Sequence, residues 1–470
     1  MESEIEPVIS EGRMRLTAII VATALFMQNL DSTVIATALP AMARSFHAPP
    51  LHMSVALTSY LISLSVFIPA SGWVADHFGA RHVFRAAIII FTLGSVLCGI
   101  APNLAFLVAA RIVQGLGGAM MLPVGRLVLL RSVSRAQMIT AMSWLTMPAL
   151  IGPILGPPLG GFIVTYVSWR WVFDINVPIG IIGVIAVSLF ITDMREPGRG
   201  GILDATGLLL TGLTMAAFMV GFETLGRHIV PLSWTLIALA VGLAAGLAYL
   251  THERRHPHPI LDLSLLRIPT FASSVIAGSL FRIAVGAMPF LLPLMLQLSF
   301  GDTPLQSGLI TFASAAGALA MKPAAQPVLK RFGFRTVLVV NGAVAALFIM
   351  LCALFRPSWP SLLLDVILLT GGFFRSLQFT AFNTIAYGDI ERSRMSAATT
   401  LYSTIQQLTL TLGIVIGAAT LEISSHLHHH HAAAQSDYAL AFIIVGTFAL
   451  SAVPFCARLH ADAGKALSGH

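Results

Sequence analysis

The chain has 470 residues, 56% of them hydrophobic and only 10% charged, with a mean hydropathy of +0.86. Soluble domains carry about 25% charged residues, so a water-soluble globular protein is excluded. The net charge of +7 would suit a polyanion, but the positions of the basic residues account for it without nucleic acid.

Apolar windows of about twenty residues, each able to cross a ~30 Å hydrocarbon core, recur along the chain. Fourteen are read, near 16–39, 52–75, 83–101, 104–125, 137–166, 171–191, 205–225, 231–250, 270–297, 305–326, 336–355, 360–387, 397–421 and 438–457. Short connections leave no room for a sizeable soluble domain, so the expected class is an all-α polytopic membrane protein. Residues 1–15, with four Glu and two Arg, carry no cleavable signal pattern. Cys98, Cys352 and Cys456 fall in or beside spans, against a disulfide framework or a thiolate metal centre.

Basic residues set the orientation. With the N-terminus inside, inner segments hold 19 Lys and Arg and outer loops only Arg44, Arg170, Arg227 and Arg356. This bias fits the positive-inside rule with both termini cytoplasmic. Four bases lie within spans: Arg111, Arg282, Lys322 and Arg375. The first window carries one acid, Asp31, inside FMQNLDSTVIATALP. An ionised side chain at membrane depth is costly and marks function. Asp31 lies about eight residues from the outer end of its span and Arg111 about seven from the same side, roughly 10–12 Å deep at 1.5 Å per residue.

An internal repeat organises the chain. GWVADHFGARHVF (72–84) aligns with QPVLKRFGFRTVL (326–338), bringing Gly79 onto Gly333, Phe78 onto Phe332, Arg81 onto Arg335 and Pro69 onto Pro323. The offset of 254 residues is about eight spans rather than six, so two helices, near 205–225 and 231–250, are inserted between six-helix halves. The divisions are a tail at 1–15, a first half at 16–195, the inserted pair and linkers at 196–255, a second half at 256–457 and a tail at 458–470. Repeated halves around a central site are a plan of secondary transporters.

Gly72, Asp76, Gly79 and Arg81 resemble the signature loop of the major facilitator superfamily, although His77 and Ala80 stand where basic residues are usual. LDSTVIATALP (30–40) resembles the first-helix motif of the fourteen-helix drug:proton antiporters, and RIVQGLGGA (111–119) the superfamily's fourth-helix motif. GPILGPPLGG (152–161) resembles the antiporter motif of the fifth helix, with Leu145 replacing its leading glycine. WRWVFDINVPIG (169–180) is typical of the same branch. The resemblance implies a major facilitator fold whose first and fourth helices line a central cavity, bringing Asp31 within reach of Arg111. It further implies a proton-coupled multidrug efflux antiporter of the bacterial inner membrane, working by alternating access as a monomer. Its partners are a small-molecule substrate, protons and the lipid bilayer. It is not an enzyme and uses no cofactor, the proton gradient supplying the energy.

On this reading Asp31 is the proton site and Arg111 its tuner. Desolvation favours a protonated carboxyl and a nearby Arg⁺ an ionised one, so a change in separation changes proton affinity. A static ion pair holding two helices together is the competing account. Gly72, Asp76, Gly79 and Arg81 form a gating loop. Gly152, Gly156 and Gly160, four apart, offer a close-packing stripe; Pro157 bends that helix and Gly161 completes the motif. Gln28, Gln114, Arg282, Arg375, Gln378 and Asn383 are the candidate substrate-cavity residues. Glu223 ranks below Asp31, being near the outer end of an inserted helix.

GLGG at 115–118 lies mid-span with no preceding strand, so it is no phosphate loop, and no Walker lysine loop occurs elsewhere. The internal tract HLHHHH (426–431) reads as a tolerated outer loop, with a loose metal patch as the alternative; no metal ligand is assigned. Four buried bases against Asp31 raise a second cargo, an anionic metabolite or metal–carboxylate chelate, since arginine's fork suits such groups. A passive pore is disfavoured by the repeated halves and the charge pair, and a membrane sensor by the lack of an output domain.

Overall fold

A computed structural model describes residues 11–47, 54–134, 137–192, 203–225, 231–257, 259–302, 304–428, 434–460 and 462–468, and among these every regular element is a helix. The first part holds α1 (Glu11–Phe46), α2 (Ser54–Phe67), α3 (Ser71–Phe78), α4 (Ala80–Gly99), α5 (Leu104–Ser132), α6 (Met138–Tyr166), α7 (Trp171–Asp174) and α8 (Asn176–Phe190). Then come α9 (Ala205–Leu225) and α10 (Leu232–Glu253). The last part holds α11 (Pro269–Leu294), α12 (Pro304–Thr336), α13 (Gly342–Leu351), α14 (Ser361–Ile385), α15 (Met395–Leu427), α16 (Gln435–Ala457) and the short α17 (Lys465–Ser468).

Among the described residues, twelve segments are long and apolar enough to cross a membrane. One of them, Gln306–Leu354, is 49 residues long. It contains Gly333, whose φ of 73° and ψ of 160° are non-helical. The 29-residue α6 lies outside the twelve. Several helices overrun their apolar windows with polar ends, as α1 does from Glu11 to Phe46, because helix continues beyond the hydrocarbon wherever no breaker stops it.

Prolines and glycines place the breaks. At Pro69 the chain passes through a 3-10 turn, Ile68–Ala70, before α3. Pro289 and Pro293 lie in α11 just before a π turn, Met295–Ser299. Gly79, between α3 and α4, has φ 87° and ψ 129°. The two repeat-aligned glycines thus share a backbone region that L side chains rarely enter.

Packing follows from the solvent. Lipid offers no hydrophobic drive between helices, so association relies on close backbone approach. A Cβ at Gly94 of α4 would lie 2.7 Å from the Cα of Gln114 on α5, and one at Gly117 of α5 would lie 2.5 Å from the Phe91 nitrogen on α4. Gly317 of α12 and Gly372 of α14 are likewise closed by each other's helix, at the Leu369 and Ser314 carbonyls. Gly286 of α11 and Gly413 of α15 repeat the pattern against the Leu410 and Ile283 carbonyls. Backbone meets backbone in both halves.

The first half packs α1 on α6 and α8, and α5 on α2 and α4; the second packs α11 on α15 and α16, and α12 on α14. The α9–α10 pair lies against α2 and α15, where the halves adjoin. Ser65 of α2 donates to the Met219 sulfur on α9 at 3.5 Å. The outer side of α10 exposes Trp234, Leu236, Ile237, Leu243 and Leu247, an apolar surface suited to acyl chains and hazardous in water. Asp204 caps α9. Burial works against its ionisation, but the Gly207 N–H, His252 and the Ile260 N–H outweigh that and hold its carboxyl below the usual range.

Gly79→Ala and Gly333→Ala should each lower stability by ~1–3 kcal/mol, the cost of forcing a side chain into this backbone region. Melting in detergent checks this: both variants melt lower, whereas Gly12→Ala, at a helical position with nothing within 4 Å, does not.

Candidate functional site

Asp31 and Arg111 meet. Arg111 Nη1 donates to Asp31 Oδ2 at 2.6 Å, and both side chains are 0% exposed. The other carboxylate oxygen accepts from Gln114 Nε2 and from Asn176 Nδ2, each at 2.9 Å. Ser95 Oγ receives a second hydrogen bond from each amide, at 2.7 and 3.2 Å. Arg111 also donates through Nε to the Ala56 carbonyl at 3.1 Å and through Nη1 to Gln114 Oε1 at 2.5 Å. The Tyr60 ring lies 4.2 Å beneath the guanidinium, a cation–π contact. The Asp31 carboxyl accepts from three polar donors here, which is what dry burial of such a group requires.

These partners come from α1, α2, α4, α5 and α8, all of the first half. The expected contact between Asp31 and Arg111 is made, and both side chains are fully buried among these helices. Asn176 on α8 holds the acid directly, and Ser95 on α4 holds it through the two amides. Gln114, expected in the substrate cavity, is wholly committed to this network. Gln28 lies one turn before Asp31 and is half-buried.

The fifth-helix motif holds α6 against the same stretch of α1. A Cβ at Gly152 would lie 3.0 Å from the Leu30 nitrogen, and one at Gly156 would overlap Thr33. Gly160 is buried, whereas a Cβ at Gly161 would meet nothing within 4 Å, so the seam ends before it. Pro157 lies within α6.

The second-half candidates are scattered rather than joined. Arg282 is buried on α11, donates to the Tyr402 hydroxyl on α15 and lies 4.5 Å over that ring. Arg375 donates to Ser314 Oγ on α12 at 2.8 Å. Lys322 donates to Thr380 Oγ1 at 3.0 Å. Gln378 accepts from Asn341 at 2.9 Å and donates to the Leu338 carbonyl at 3.0 Å, turning it toward the π turn Val337–Asn341. Asn383 is buried, and among the described residues neither end of its amide has a hydrogen-bond partner. Of the tract at 426–431, residues 429–431 lie outside the described residues, and Glu223 belongs to α9.

The gating loop joins elements in two directions. Within the first half, Asp76 pairs with Arg131 at 3.0 Å and Arg81 donates to the Ser188 carbonyl. Across to the second half, Ser71 shares a hydrogen bond with Thr400 at 3.2 Å and Ser396 Oγ donates to the Gly72 carbonyl at 3.0 Å. A Cβ at Gly72 would lie 2.5 Å from Thr400 Oγ1. Arg126 adds bonds to the Tyr387 hydroxyl at 3.1 Å and to Gln406 Oε1 at 3.4 Å. Sequence reasoning counted Arg126 and Arg131 only as basic loop residues. It also missed Asn176, although that residue belongs to WRWVFDINVPIG; Ser95 carried no signal.

A charge pair buried among apolar membrane-length helices marks a functional position in a polytopic membrane protein. The family model described as Major Facilitator Superfamily matches residues 21–288 and 274–466. The chain belongs to the Major Facilitator Superfamily, as a multi-pass membrane transporter. It is 39% identical over 414 residues, 87% of each chain, to a protein designated for multidrug resistance, MdtD, of Salmonella heidelberg. The same figures hold for the MdtD of Salmonella typhimurium. Among solved structures it is similar to the human organic anion transporter MFSD10 (TETRAN), with a TM-score of 0.67 at 13% identity, covering 95% of this chain and 100% of that one. The proton:xylose symporter XylE bound to 6-bromo-6-deoxy-D-glucose gives the same score and identity, with 98% of each chain covered. These two likenesses concern the fold.

Arg111→Ala should cost ~3–5 kcal/mol, because it strands a buried carboxylate, and the double change Asp31→Asn/Arg111→Ala should cost less than that single one. Unfolding midpoints of the three variants in detergent check the cycle; purely additive losses would contradict the contact.

Proposed function

We propose that this chain is a proton-coupled efflux antiporter of the multidrug type, working by alternating access as a monomer in a bacterial inner membrane, with no cofactor. The likeness to MdtD supports the cargo class, and the Asp31 network carries the mechanism. The proposed topology has fourteen crossings and both termini cytoplasmic. It counts α6 with the twelve segments and takes the 49-residue segment as two, either side of Gly333.

Protonation of Asp31 would cancel the charge that Arg111 faces at 2.6 Å and turn one acceptor oxygen into a donor. Arg111 would then be a buried cation without a counter-ion, a costly state that favours rearrangement. Deprotonation restores the pair. Because Gly152 and Gly156 seat α6 directly on α1, any shift of α1 at Asp31 bears on α6. In turn α6 packs against α12 and α14 of the second half. This is a contiguous route from a proton to the interface between halves. The bonds of Arg126, Ser71 and Ser396 across that interface would form the inner closure of an outward-facing state, with Asp76–Arg131 steadying the loop.

The anionic cargo draws no support from the second half, where Tyr402, Ser314 and Thr380 already engage Arg282, Arg375 and Lys322. The open amide of Asn383 is the better candidate for a polar substrate contact.

In proteoliposomes, Asp31→Asn should reduce gradient-driven uphill transport by at least ~10-fold, the scale of losing one charged contact, while substrate exchange without a gradient persists. Uphill transport at the wild-type rate, with the variant confirmed in the bilayer, would overturn the proton assignment. Asp76→Asn should lower turnover with substrate affinity unchanged, measured as transport rate against equilibrium binding.

A further inference from the structure

The start of α9 and the end of α10 meet in a cluster remote from the charge pair. Asp204 accepts the Gly207 N–H on Oδ1 at 2.8 Å and the Ile260 N–H on Oδ2 at 3.2 Å. Nε2 of His252, in the last turn of α10, lies 2.7 Å from Asp204 Oδ1. His256 follows four residues later and stacks on His252 with ring centroids 5.2 Å apart. One ligand atom from each of these three side chains lies within 4.8 Å of the others. Asp204 is buried and both imidazoles are half-buried, so the cluster is shielded yet open to an ion from water.

We propose that Asp204, His252 and His256 bind a divalent transition-metal ion, with zinc the best match. Two imidazoles and one carboxylate suit zinc, and oxygen-seeking magnesium or calcium poorly. Bonds of ~2.0–2.1 Å in a tetrahedron place ligand atoms ~3.3 Å apart, so the His252–Asp204 contact of 2.7 Å opens by ~0.6 Å, and separations of at most 4.8 Å close by no more than ~1.5 Å. Small side-chain rotations supply both. Water takes the fourth position. The Gly207 and Ile260 N–H groups already fix the carboxylate's orientation, as outer-shell donors do at metal centres.

The site clamps more than the helix pair. Beyond Ile260, Leu261 exchanges hydrogen bonds with the Tyr249 hydroxyl at 2.8 and 2.9 Å, and Asp262 pairs with Arg394 of the second half at 2.6 Å. An ion at Asp204 therefore stiffens the segment that ties α9–α10 to the second half.

The experiment uses full-length protein in detergent, free of terminal affinity histidines, with His426 and His428 to His431 replaced by glutamine so that the tract contributes no sites. Zinc is titrated against a chromophoric chelator, and cobalt(II) is added separately as a spectroscopic probe. Expected are one zinc equivalent and the intense visible bands of tetrahedral cobalt. His256→Ala should weaken zinc at least ~10-fold and bleach those bands, and Asp204→Asn should do the same to binding if it folds. Equal zinc affinity in the His256→Ala variant and its parent, or no zinc equivalent in the parent, overturns the proposal and leaves His252–Asp204 as a hydrogen-bonded cap only.

Discussion

Hydrocarbon tolerates no unmatched charge, and the arrangement of the first half can be traced to how it matches one acid. Asp31 is completely buried, so its two oxygens must find donors within the bundle. Arg111, Gln114 and Asn176 supply them, and Ser95 holds both amides in place. Four helices converge on one carboxylate. A change in its charge would therefore bear on four helices at once.

Around that point the bundle is held by closeness rather than by greasy contact. The reciprocal glycine pairs of α4–α5, α12–α14 and α11–α15 leave no gap to absorb a small displacement. Such seams make helices move together or not at all. Where the halves adjoin, by contrast, side chains mediate the contact through Arg126, Ser71 and Ser396.

Much of this was legible in the sequence, for definable reasons. Hydropathy reports the crossing segments because lipid imposes it residue by residue. The aligned glycines at 79 and 333 were legible because only glycine takes their backbone angles readily. The Asp31–Arg111 contact followed from equal depth together with the family resemblance. What escaped depended on helix rotation, which depth does not encode. Gln114 was assigned to the cavity, and its side-chain amide instead bonds Asp31 and Ser95. The second-half bases suggested an anion because their neutral partners, Tyr402, Ser314 and Thr380, lie on other helices at separations no local pattern reveals. The His252–His256 spacing was visible, but its partner Asp204 lies 48 residues earlier in the chain.

The bonds described between the halves at the Gly79 end are made by hydroxyls, a carbonyl, an amide and one guanidinium, with no carboxylate among them. Hydroxyl contacts exchange for water at little net cost, and without an opposed pair there is no Coulomb attraction for salt to screen. These cross-half bonds accordingly respond weakly to ionic strength, unlike the Asp76–Arg131 pair beside them.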